Sequence, residues 1–153
     1  MPADIMLIGE APGHYEDLQG KPFRPNAPAG RVLHRALAML DLDPYITNLV
    51  KCRPVANKLR DFPDAIEACQ PWLLKEIAMV QPKVIVTLGA MAGQSVFPGM
   101  KAGEQAETIR AAYGLLICGA YHPAYVARGS DPTAWPSLLR SLKLARELVK
   151  EVR

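Results

Sequence analysis

Five side chains far apart in this chain are candidates for one reaction centre: Glu10, Glu16, Phe23, Asn48 and His122. A carboxylate can orient water or steady a cation, an imidazole can donate a hydrogen bond to charge developing on a departing group, and a carboxamide sets a donor beside an acceptor. An aromatic ring adds a stacking face. What links the five is their position relative to predicted strands. Gly9-Glu10-Ala11-Pro12-Gly13 follows the aliphatic run Ile5–Ile8, and Tyr121-His122-Pro123-Ala124-Tyr125-Val126 comes soon after the run Leu115–Cys118. Runs this short and apolar read as buried strands, and the glycines beyond them let backbone crowd against a ligand. In an open α/β sheet the carboxyl ends of neighbouring parallel strands open into the ligand crevice, so the two patches are expected to share one site.

The intervening sequence supplies the elements that would hold them. Val32, Leu33, Ala36, Leu37 and Leu40 recur at helical spacing after Gly30, and the helix should end before Asp43-Pro44. Tyr45–Val50 reads as a strand. Asp61 and Pro63 mark a helix start, with Ile66, Cys69, Leu73 and Ile77 on one face and Pro71 expected to kink or split it. Val84–Leu88 is a further strand, and Gly89 turns the chain into a short helix around Ala90–Val96 that Pro98-Gly99 ends. Lys101–Tyr113 combines a weak helical pattern with the features of an irregular linker. Ser137 is expected to cap a final helix carrying Leu138, Leu142, Ala145 and Leu148. Four aliphatic strands separated by helices predict an α/β fold, a three-layer α/β/α sandwich with a central four-stranded, mainly parallel sheet. The 153 residues fit one domain, 1–153.

Half the residues are hydrophobic and 22% are charged, an ordinary globular balance that argues against disorder. The net charge of +3 is compatible with a polyanionic partner. Lys51, Arg53, Lys58 and Arg60, with Asn57 among them, cluster just after a predicted strand, where such a partner would meet them. No apolar run approaches the roughly 18 residues that span a bilayer, so a cytoplasmic protein with no membrane association is expected. Three cysteines do not suggest a secreted disulfide framework.

Gly-Glu-Ala-Pro-Gly-x-x-Glu-Asp from Gly9, Gly20-Lys21-Pro22-Phe23, the segment Tyr45-Ile46-Thr47-Asn48-Leu49-Val50-Lys51-Cys52-Arg53-Pro54 and the His-Pro-Ala-Tyr patch together resemble the successive motifs of the uracil-DNA glycosylase superfamily. Order and spacing agree from about Met6 to Arg128, and the similarity is greatest to family four, the iron–sulfur type. The resemblance implies an enzyme of base excision repair: a monofunctional hydrolase that flips uracil out of single- or double-stranded DNA and cleaves its N-glycosidic bond to leave an abasic site. His122 would donate to the uracil O2 as the base becomes anionic, and Asn48 would match the O4 acceptor and N3–H donor that distinguish uracil from cytosine. Phe23 would stack on the extruded base. Glu10 and Ala11 would line the base pocket, Ala11 standing where another branch of the superfamily has a water-directing Asp. Glu16 would orient water, stabilise the cationic sugar or wall off a C5 methyl. The loop after the His motif supplies the wedge in this family, here Tyr125, Val126, Ala127 and Arg128. Lys51, Arg53, Asn57, Lys58 and Arg128 would contact the DNA, and a monomer is expected.

Two departures qualify the resemblance. Family four holds a four-iron, four-sulfur cluster through four cysteines, two of them in a pair before the first strand. Only Cys52 and Cys69 match ligand positions here, and Cys118 falls inside a predicted buried strand. No cofactor is therefore expected, the alternative being an iron–sulfur cluster through Cys52 and Cys69 plus other ligands. Arg24-Pro25-Asn26-Ala27-Pro28 also replaces a shorter family loop beside the pocket. It leaves open a glycosylase for another deaminated or modified base, or a catalytically weak DNA-binding, damage-sensing protein of the same fold.

Overall fold

A computed structural model describes residues 2–10, 23, 27–50 and 63–152, with backbone alone at 63, 65, 66 and 68. Five strands form one sheet: β1 (Ile5–Gly9), β2 (Tyr45–Asn48), β3 (Val84–Leu88), β4 (Ile109–Ala112) and β5 (Leu115–Ala120), in the spatial order β2-β1-β3-β5-β4. Four of them are mutually parallel, and β4 runs antiparallel to β5. Alternate residues of the buried strands serve opposite faces. Ile5, Leu7, Val84, Val86, Leu88 and Ala120 pack against helix α1 (Pro28–Leu40) and the last helix, α6 (Ala134–Glu151). Met6, Ile8, Ile85 and Ile117 face the other layer, which includes Leu73 and Ile77 of helix α2 (Pro63–Val80). Placing α1 and α2 on opposite faces follows from the topology. The chain leaves β1 for one neighbour, β2, then crosses to the other, β3, which puts a switch point beside the carboxyl end of β1.

The expected three-layer fold is present, with corrections. The sheet has five strands, not four, because residues 101–113 hold helix α4 (Ala102–Gln105) and the edge strand β4. Three of the four β4 residues are exposed, so no aliphatic run marks it. A two-residue turn with positive φ at both Tyr113 (55°) and Gly114 (75°) joins it to β5, the geometry that matches the twist of a hairpin. Helix α2 runs through Pro71 without splitting. Pro71 and Glu67, whose carbonyl the ring deprives of a partner, are both exposed, so water can take up the lost bond. The final helix begins three residues before Ser137, and Thr133 is its N-cap. Ser137 instead donates to Glu107 Oε2 (2.9 Å), a carboxylate that Arg140 also grips (2.7 Å). The remaining helices are α3 (Ala90–Gly93), shorter than expected, and α5 (Pro123–Arg128).

Candidate active site

The carboxyl ends of the parallel strands lie level. Gly9 pairs with Asn48, Ile8 with Thr87 and Leu88 with Ala120. Beyond the strands, the N–H groups of Leu49 and Val50 donate to the carbonyls of Gly9 (2.8 Å) and Glu10 (2.9 Å), while Gly89 N–H donates to Ala120 (2.9 Å). The edge strand β2 is held from the side. Tyr45 and Thr47 hydroxyls both donate to Glu76 Oε2 of α2 at 2.8 Å, fixing the strand that ends at Asn48.

Gly9 makes the first meeting point. A Cβ there would stand 2.5 Å from Asn48 Oδ1 and 2.7 Å from the Phe23 ring, so the missing side chain lets amide and ring lie against the end of β1. Both residues are buried. The Phe23 ring centre is 5.4 Å from that of His122, with the planes inclined at 42°. Phe23 adopts a left-handed φ of 49°, and its carbonyl accepts a 2.7 Å hydrogen bond from His34 Nε2, which anchors the residue to α1.

Gly89 makes the second. Its φ of 97° and ψ of 163° belong to a region that is essentially restricted to glycine. A Cβ would stand 2.7 Å from Glu10 Oε2 and 3.2 Å from His122 Cβ, so this glycine brings the carboxylate and the histidine together. Glu10 Oε2 accepts from Met91 N–H at 3.0 Å, supplying from another strand the cap that Gly89 lacks a side chain to provide for α3. Burial pushes the Glu10 carboxyl above its ordinary range, opposed by the Met91 N–H and by the charge of Arg128.

His122 is the N-cap of α5, and its Nδ1 accepts from Ala124 N–H at 3.0 Å. An accepting nitrogen carries no proton, so the neutral ring bears its proton on Nε2. Burial, then the nearby Arg128 charge, pushes the histidine down to about 4, which keeps the imidazole neutral around pH 7. The arrangement is a neutral N–H donor beside a buried aromatic ring and a buried carboxamide.

Of the sequence-predicted residues, Glu10, Phe23, Asn48 and His122 come together, and the exposed Arg128 acts electrostatically on Glu10 and His122. Ala11, Glu16, Lys51, Cys52, Arg53, Asn57 and Lys58 lie outside the described residues, as do Arg24, Pro25 and Asn26 of the altered loop. The expected wedge loop is a correction: Tyr125, Val126, Ala127 and Arg128 stand on α5, because His122 at the N-cap and Pro123 at the next position start a helix there. Gly129, with φ of 75°, closes it. Tyr125 stacks on Tyr121 (5.2 Å between ring centres, 12° between planes) and donates to Asp131 Oδ2 at 3.0 Å. Gly89, Met91 and His34 were not anticipated as parts of the site. Gly89 carried a signal, since it follows the predicted strand Val84–Leu88 just as Gly9 follows Ile5–Ile8; the other two carried none.

The two described thiols lie in different layers. Cys118 is buried in β5 and bonded to the carbonyls of Gly119 and Ser141, and burial pushes its thiol up to about 11. That is a packed, protonated group, the opposite of a metal thiolate. Cys69 is half-buried on α2, across the sheet from α6. Among the described residues, which do not include Cys52, no three His, Cys, Asp or Glu side chains could share a metal. None of the described helices is long and apolar enough to cross a membrane.

The family model of the uracil DNA glycosylase superfamily matches residues 2–143. The type-4 uracil-DNA glycosylase of Saccharolobus solfataricus is 39% identical over 135 residues, covering 80% of this chain and 61% of that protein. That of Archaeoglobus fulgidus is 37% identical over 81% of this chain and 67% of its own length, and that of Thermotoga maritima 32% identical over 96% and 78%. The chain thus spans roughly three fifths to four fifths of these relatives. With Asn48, Phe23 and His122 gathered at the strand ends, the chain belongs to the uracil DNA glycosylase superfamily and is similar to its type-4 members.

Proposed function

We propose that this chain excises uracil from DNA, hydrolysing the N-glycosidic bond and leaving an abasic site. The observation that carries the reading is the Nδ1 cap: His122 spends one nitrogen on Ala124 N–H and so keeps a proton on the other. As the bond between sugar and base stretches, negative charge gathers on the uracil O2. A neutral N–H donor already in place stabilises that charge without reorganising, worth on the order of 10²–10³ in rate. Asn48 presents a carboxamide whose donor and acceptor match uracil O4 and N3–H, and cytosine offers the reverse pattern. Phe23 stacks on the flipped base, contributing roughly 1–3 kcal/mol to its capture. Glu10 serves as the brace that ties the Gly89 turn to the end of β1. Glu16 is assigned to the water or the cationic sugar on the strength of the family motif. Arg128, with Lys51, Arg53, Asn57 and Lys58, would meet the phosphates, with residues 1–153 forming one domain of a monomeric cytoplasmic protein.

The resemblance to family four implies an iron–sulfur cluster, which needs four ligands. With Cys118 packed in the interior, residues 1–153 have Cys52 and Cys69 left to offer, and we assign these residues by themselves a fold that stands without the metal. Two measurements test these readings. Oligonucleotides carrying one uracil, hypoxanthine, xanthine or thymine–guanine mismatch, treated with alkali after incubation, should be cut at uracil alone; binding without an abasic product would favour a sensing role. Protein from iron-supplemented anaerobic expression should contain well under the roughly four irons per chain of a full cluster.

A further inference from the structure

Gln105, the last residue of α4, is 1% exposed and belongs to no part of the site described above. Two glycines make room for it. A Cβ at Gly93 would collide with its side-chain oxygen, and one at Gly119 with its backbone carbonyl. Its amide nitrogen donates to Met100 O (3.0 Å) and to Ala90 O (3.2 Å), whereas its Oε1 has no hydrogen-bond partner among the described residues. An amide buried with its oxygen unsatisfied is a costly way to fill space, and a Leu or Met would do it with less desolvation. The two donated bonds are therefore what distinguishes glutamine here.

One of those bonds reaches the site. Ala90 opens α3, a four-residue helix too short to hold itself together and lacking a capping side chain at Gly89. The next residue, Met91, uses its N–H to hold Glu10 Oε2, and Glu10 shares the space over Gly89 with His122. We propose that Gln105 is a positioning residue for base excision: it anchors the first turn of α3, so that Met91 holds Glu10, and Glu10 across Gly89 sets the place of His122. The inference rests on the reading of His122 as the donor to uracil O2.

Gln105→Met keeps the volume and removes the donors, and Gln105→Asn keeps the amide but withdraws it by one methylene. In free 15N-labelled protein, both variants should shift or broaden the ring-nitrogen resonances of His122 and speed hydrogen exchange at the Met91 amide. Uracil release at saturating DNA should fall roughly 10- to 100-fold, as small misplacements of a reacting group do, with KM nearly unchanged. Combining Gln105→Met with Glu10→Ala should cost no more than the slower single variant, because the two act in one line. A lowered melting temperature with wild-type His122 and Met91 spectra would overturn the proposal and leave Gln105 a packing residue. Spectral coupling in a protein that released no uracil would support the positioning and defeat the uracil reading alone.

Discussion

Gly9 and Gly89 stand at the ends of adjacent parallel strands, and each removes a side chain where two functional groups must meet, yet they answer different demands. Gly9 clears space for Asn48 and Phe23, the groups assigned to recognising the base. Gly89 clears space for Glu10 and His122, on the side assigned to the departing charge, and also adopts a backbone conformation that other residues avoid. Recognition here asks only for room. The catalytic side asks for room and for an unusual path of the chain, because His122 has to be reached from β5 while Glu10 reaches across from β1. The difference suggests that the recognition side tolerates small changes better than the catalytic side does.

Substitution at Gly89 is the severest way to test this contrast. Gly89→Ala combines overpacking with strain at a glycine-only conformation, together roughly 2–6 kcal/mol, enough to lower the urea midpoint sharply and to abolish most uracil release. A variant with near-native stability and turnover would erase the distinction between the two glycines. His122→Ala comes next, and should slow single-turnover release on the order of 10²–10³ while changing DNA affinity little. Equal losses in binding and turnover would move His122 to the recognition side.

Gly9→Ala should cost about 1–3 kcal/mol through overpacking alone and should raise KM for uracil-containing DNA more than it lowers kcat. A pure kcat effect would put Gly9 with Gly89. The smallest effect is one of pH. His122 titrates near 4 in the folded protein against an ordinary 6.5, so between those values the unfolded chain binds the extra proton and stability falls as the pH drops. Glu10, held above its ordinary 4.5, works in the opposite sense: the folded state keeps its proton longer, and stability declines as pH rises past 4.5. Denaturation midpoints of the parent and His122→Ala between pH 4 and 7 should diverge toward neutrality; parallel curves would mean that the imidazole is not held neutral.

Much of this is legible in the sequence. Ile5–Ile8 is an uninterrupted apolar run and Val84–Leu88 is broken only by Thr87, because β1 and β3 are buried on both faces, and a parallel sheet then dictates where their ends point. That is why His122, Asn48 and Phe23 could be grouped from sequence. β4 leaves no mark in the sequence because an exposed edge strand, Ile-Arg-Ala-Ala, needs no hydrophobic pattern, and its turn places Tyr where Asn or Gly would signal a hairpin. The brace of Glu10 was unreadable for another reason. Its partner is a backbone N–H that carries no side-chain signature, 81 residues further along the chain. Ser137 misled because a serine ahead of an amphipathic run looks like a cap, whereas the tertiary pull of Glu107 had already claimed its hydroxyl.

The strand order carries a consequence for biosynthesis. β1 leaves the ribosome before either of its neighbours in the sheet, β2 and β3, and β5 arrives later still. Contacts this distant in sequence make folding slow and leave an apolar strand waiting for partners. His122 follows β5, and α6 must then close over Ile5, Leu7 and Val86. The nascent chain is thus expected to stay inert until nearly all of these residues have emerged, with Ile5–Gly9 the segment in most need of a chaperone's cover in the meantime.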